Sequence, residues 1–171
     1  KLTATTLNST GVMFNCVESA NMIIVAKSIE SETQVIYTST TFSGLIKIDA
    51  NEILGGENSN IGQGIFYLST PSLDLDVYAQ SFRPTTTAAA IQVSVQDVSV
   101  AGFMFDFQEI YASGALLSAV GDTNLEIIQQ GRIYINAQRV VIDSTNIDIL
   151  NIQACNVQFI FNTMTYTMGN S

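Results

Sequence analysis

Histidine and tryptophan are absent from this chain of 171 residues. Without histidine there is no Ser-His-Asp triad, no Cys-His dyad and no His-ligated zinc site. Basic residues are scarce: six, against 15 acidic ones, for a formal net charge of −9. Six cations spread over the whole length cannot build the basic stripe that nucleic-acid binding needs. No long hydrophobic run exists either. The longest purely apolar stretch is Met22 to Ala26, far short of the ~20 residues a membrane helix requires. The chain opens with Lys1, which suggests a processed or excised piece.

Charge of either sign is low, at 12% of residues, while 47% are hydrophobic. Free monomers normally rely on charge to keep their surfaces apart. Here Thr, Ser, Asn and Gln must supply the polarity. The apolar set is rich in Ile and Val, which favour strands. Such a profile suits extracellular or viral structural proteins and obligate oligomers. The length suits one domain or one elongated module.

There are only two cysteines, Cys16 and Cys155, near opposite ends. Each sits in an apolar alternating run, where a reduced cysteine acts as a small core residue. A buried thiol is therefore expected in preference to a bridge, since nothing indicates disulfide-dense secretion. Two isolated cysteines without histidine make no metal site.

Period-two alternation dominates what is present. It runs through Val12–Cys16, Leu45–Ala50, Leu73–Ala79, Ile91–Val95 and Phe103–Phe107, then from Ile133–Ala137 to Val157–Phe161. Alternate residues of a strand face opposite sides, so each segment has one buried and one polar face. The best helical candidate is Gln108 to Val120, interrupted by Gly114. Loop excursions are expected near 55–64, which is rich in glycine, and near 83–90, where Pro84 removes a ladder donor.

A short pattern recurs: apolar, any, small or apolar, any, any, apolar. Copies are Ile24–Ile29, Ile48–Ile53, Val77–Phe82, Ile135–Val140 and Ile152–Val157, with looser ones at Val93–Val98 and Phe105–Ile110. It reads as a corner. Two inward residues end one strand, two polar residues turn the chain outward, and the next apolar residue re-enters the core. Near the end the repeat tightens to seven residues, through Ile135, Ile142 and Ile149, with Ala137 and Ser144, and Val140 and Ile147. Elsewhere the copies are about 12 residues or irregular multiples apart, which suits successive walls of a β-helix. A β-sandwich would also alternate. The repeated small corner residue favours the solenoid. A coiled coil is disfavoured by the β-branched alternation of Ile133 to Val141.

Segments such as Leu45–Ile53 and Ile133–Ser144 resemble the β-helical parts of bacteriophage tail proteins: spikes, fibres and tip proteins. The resemblance implies a rigid or receptor-contacting module in a virion tail or on an extracellular surface, often assembled as a trimer around a shared apolar axis. It implies neighbouring tail subunits as partners, and a host-surface glycan as a further one. The regular glycine of the tightest spike repeats is absent here. Large bacterial adhesins carry a similar run.

Candidate chemistry is sparse. Asp74 and Asp76 share a strand face, as calcium ligands or glycosidic carboxylates would. A solvated polar face is the favoured reading, because perturbed acids need a cleft. Asp106 with Glu109, and Asp143 with Asp148, are weaker versions. Lys47 and Asp49 would make an exposed pair of little worth. Phe159, Phe161 and Tyr166 could stack sugars, but more often such a cluster caps an open solenoid end. Gly62-Gln63-Gly64 lacks the GKS or GKT of a phosphate loop. Asn8-Ser9-Thr10 is a lone glycosylation sequon.

The sequence thus predicts a single all-β domain over residues 1–171, β-helical or solenoid-like and trimeric in assembly, with a β-sandwich as the alternative. It predicts a structural protein of a phage-like tail. The rivals are a filament or pilus subunit that exchanges the strand Lys1 to Thr10, and a polysaccharide depolymerase. No catalytic, cofactor-binding or metal-ligating residues are assigned, and neither a nucleic-acid partner nor a membrane span is expected.

Overall fold

The computed structural model describes residues 1–56, 64–70, 72–86, 89–95, 102–121, 131–142, 150–153 and 157–168. Alternation becomes strand throughout, and the described residues contain no helix. Seven long strands form one sheet: β1 (Leu2–Ser9), β3 (Ala20–Ser31), β5 (Ser43–Gly55), β7 (Ser72–Pro84), β9 (Gly102–Ala112), β11 (Gly131–Ile142) and β13 (Val157–Met168). Six short strands form a second: β2 (Phe14–Cys16), β4 (Ile36–Thr38), β6 (Phe66–Leu68), β8 (Ile91–Val95), β10 (Leu117–Gly121) and β12 (Leu150–Gln153). Each sheet follows chain order with every second strand adjacent. All pairings in both sheets are parallel. The chain therefore winds as a β-solenoid, one long wall and one short wall per rung. This excludes the sandwich, whose sheets are antiparallel.

The repeat is the register of the long wall. Ile24, Ile48, Val77, Phe105 and Ile135 lie opposite one another on successive rungs. Their intervals are 24, 29, 28 and 30 residues. The copies thus mark one wall once per rung, not successive walls as the spacing had suggested. Two copies differ: Val93 lies in β8 and Ile152 in β12, both on the short wall. Ile135 and Ile142 are both buried within β11, so seven residues span one bent strand and not one rung. Ser144, Ile147 and Ile149 lie outside the described residues.

The corner geometry holds. In β5, Ile48 and Ala50 are buried, Asn51 and Glu52 are not, and Ile53 is buried again. The same sequence of faces recurs in β3, β7 and β9. Ala4, Ala26, Ala50, Ala79 and Ala137 share one register column at this bend. Phe107 breaks the column, and its ring stacks on Phe82 with centroids 4.7 Å apart. Phe66 packs on Phe82 and Phe105 from the opposite wall, at 5.8 and 5.4 Å. One continuous core runs between the walls, enclosed by a single chain.

The helical candidate is corrected. Gln108 to Ala112 completes β9 and Leu117 to Val120 lies in β10. Gly114 lies between the two strands. Pro84 does end a strand, as expected, at the last position of β7. Of the 55–64 excursion, Gly55 closes β5, and residues 57–63, with Gly62 and Gln63, lie outside the described residues. Cys16 is a free, buried thiol, and burial pushes its pKa up to about 11. Cys155 lies outside the described residues.

Candidate functional site

The bend of the long wall creates a polar groove on the outside of the solenoid. Each rung contributes the outward residues on either side of its inward corner residue. The larger part is lined by Tyr78, Asp106, Gln108, Asn136, Gln138 and Asn162, over a floor of Phe107, Ala137, Phe161 and Thr163. It has a volume of about 530 Å³. A second part, about 430 Å³, lies round the bend between Asn51, Glu52, Gln80, Ser81, Gln108, Glu109, Gln138 and Arg139.

Parallel register stacks like side chains one strand spacing apart, and here it stacks amides. Asn162 Nδ2 donates to Asn136 Oδ1 at 2.9 Å. Gln108 Nε2 reaches Tyr78 Oη at 3.4 Å. Asn51, Gln80, Gln108 and Gln138 each follow the inward corner residue of their own rung. The sequence carried this signal in the fourth place of the repeat, where polar residues recur. Reading the repeat for its small residue alone passed over it.

Ion pairs tie neighbouring rungs at the same surface. Lys47 Nζ lies 3.0 Å from Asp76 Oδ2 across the β5–β7 ladder. Lys47 thus finds its partner on the next rung, not in Asp49 on its own strand. Arg83 pairs with Glu52 and Arg139 with Glu109, each at 3.8 Å. The Tyr111 ring lies between the two guanidinium groups, whose carbons are 5.0 Å (Arg83) and 5.5 Å (Arg139) from its centroid. Arg139 Nη1 also donates to Tyr111 Oη at 2.8 Å.

The carboxylate candidates separate. Asp74 is exposed and Asp76 is held by Lys47, and neither lines the groove. Asp106 lines the larger part of the groove and Glu109 the smaller, on the two sides of the bend. Asp143 and Asp148 lie outside the described residues. Among the described residues no group of acids or cysteines could hold a metal ion. Phe159, Phe161 and Tyr166 fall in β13 opposite Ile133, Ile135 and Val140. Phe161 packs against the core. Asn8 is exposed on β1.

What the groove offers chemically is a row of amide donors and acceptors beside a tyrosine, with Asp106 in its larger part and Glu52, Glu109 and Arg139 round the bend. No helix among the described residues is long and apolar enough to cross a membrane. No family model, curated protein or solved structure matches the chain.

Proposed function

We propose that this chain is a structural protein of a phage-like tail, a spike, fibre or baseplate module, whose solenoid serves as a rigid, receptor-contacting rod. The observation that carries this reading is the unbroken ladder of the long wall, in register from β1 to β13. Every inner rung is hydrogen-bonded on both edges, so bending the rod must break ladders and not merely flex loops. Exposed apolar side chains on that wall include Ile23, Tyr78 and Met104, at 44, 40 and 46%. These support contact with neighbouring subunits, with a trimer as the proposed assembly. The groove supports contact with a host-surface glycan, because amides match sugar hydroxyls in both donor and acceptor role.

Fluorescently labelled protein should bind saturably to intact bacteria of a susceptible strain, and stripping surface polysaccharide should abolish that binding. Gln108→Ala with Gln138→Ala should weaken it at unchanged thermal stability. Release of reducing ends from capsule, lost in Asp106→Asn, would overturn the structural reading in favour of a depolymerase.

A further inference from the structure

The groove runs between two charged rows of the long wall. On one side Lys47 bridges to Asp76. On the other, round the bend, Arg83 bridges to Glu52 and Arg139 to Glu109. Two rows lie between them. One is Tyr78, Asp106, Asn136 and Asn162, in register on β7, β9, β11 and β13. The other is Gln80, Gln108 and Gln138, each one residue past the inward corner position. Neither row holds a lysine or an arginine on these strands. Among the described residues, Arg139 is the one basic side chain that lines either part of the groove. It is already engaged by Glu109 and by the Tyr111 phenol.

This distribution decides the charge of a ligand. A carboxylate or phosphate on a sugar would meet Asp106 in the larger part with no cation lining it, and like charges brought together there are costly. The net charge of −9 repels polyanions at longer range as well. A neutral, hydroxyl-rich ligand meets the opposite situation. Each amide both donates and accepts, and Asp106 accepts hydroxyls in charge-assisted bonds. Tyr78, 40% exposed, presents an apolar ring to the C–H face of a pyranose. Gln108 Nε2 reaches its phenol oxygen at 3.4 Å and steadies the ring.

The same rows decide direction. Neighbouring strands lie about 4.8 Å apart, so the groove crosses β7, β9, β11 and β13 over about 14 Å. Amides recur from rung to rung, whereas within β11 only Asn136 and Gln138 line the larger part. A polymer lying along a strand meets one such pair and leaves the groove. A polymer lying along the solenoid axis meets new polar partners at every rung. We infer that the ligand is a neutral linear polysaccharide bound along the solenoid axis, and that the groove rejects anionic glycans. The inference rests on the reading of the groove as a glycan contact, and adds the ligand's charge and direction.

The test is binding of the whole chain to immobilised polysaccharides by biolayer interferometry. The neutral probes are a glucan, a mannan and a galactan; the anionic probes are a polyuronate and polysialic acid. Saturable binding to a neutral polymer is expected, and none to either anionic one. Soluble oligosaccharides cut from that neutral polymer should compete better as they lengthen, until they span the four strands. Tyr78→Ala, and separately Gln108→Ala with Gln138→Ala, should each weaken binding by about tenfold, with circular dichroism and melting temperature unchanged. Wild-type binding to an anionic polymer, binding to none of the neutral ones, or full competition by a monosaccharide would overturn the inference. If neutral polymers fail while the protein still binds cells through their polysaccharide, the charge and direction fall and the receptor-contacting reading stands. Loss of both kinds of binding removes both.

Discussion

Arg83 holds its guanidinium carbon 5.0 Å above the ring of Tyr111 on the following rung. Arg139, on the rung after that, places its guanidinium carbon 5.5 Å from the same centroid and donates to the phenol oxygen at 2.8 Å. Three rungs are clipped together outside the core by one aromatic ring. Exposed cation–π contacts are worth about 0.5–1 kcal/mol each, more than the exposed ion pairs nearby. Tyr111→Ala should therefore lower unfolding free energy by about 1–2 kcal/mol, and Tyr111→Phe by less, since the ring stays. Urea melts at low and high salt should show the Tyr111→Ala penalty largely retained in salt. A penalty that vanishes with salt would assign the effect to Glu52 and Glu109 instead.

The alanine column makes the second prediction. Ala137 is 6% exposed and stacks in register between Phe107 and Thr163. An aspartate there buries a charge with no cation opposite it on either rung. Ala137→Asp should abolish folding and with it any assembly, while Ala137→Ser should cost little. Far-ultraviolet circular dichroism of the two proteins checks this. A folded Ala137→Asp protein would mean that the bend is not part of the core.

How far the fold was legible follows from the same column. Ile48, Ala50 and Ile53, with the polar pair Asn51 and Glu52 between them, announced the bend because burial must alternate on a strand and fail to alternate at a corner. The rung length was not legible. Turns of unequal length separate the walls, so Ile24, Ile48 and Val77 are unevenly spaced in sequence though directly stacked in space. The amide groove was half legible, since its residues lie in the repeat, but only the register brings Gln80 beside Gln108. The clip at Tyr111 was not legible at all. Arg83, Tyr111 and Arg139 lie 28 residues apart in each step, and nothing local links them.

Gly55 makes the third prediction. It ends β5 with φ +136°, and a Cβ added there would lie 1.9 Å from the Ser31 carbonyl oxygen of the preceding rung. That oxygen accepts from the Gly56 amide at 2.9 Å, so it cannot retreat without losing a ladder bond. A left-handed conformation of this kind costs a side-chain-bearing residue about 1–3 kcal/mol before any clash. Gly55→Ala should lower the melting temperature more than Gly11→Ala, where a Cβ meets nothing within 4 Å. Equal melting temperatures for the two variants would refute the close approach.

Cys16 gives the pH prediction. Its thiol is pushed up to about 11 from an ordinary value of 9.0, by desolvation alone. Below pH 9 it is protonated in both the folded and unfolded chain and contributes no slope. Between pH 9 and about 11 the unfolded chain releases this proton while the native chain keeps it. The unfolded state then binds fewer protons, so stability falls as pH rises through that window. The full difference is reached only above about pH 11. All other groups are common to the wild type and Cys16→Ala. Subtracting the two unfolding free energies from pH 8 to 11 therefore isolates the thiol. The wild type should lose stability relative to Cys16→Ala across that range, and alkylation of the native thiol at pH 8 should be slow. A flat difference would mean that Cys16 is reached by water in solution.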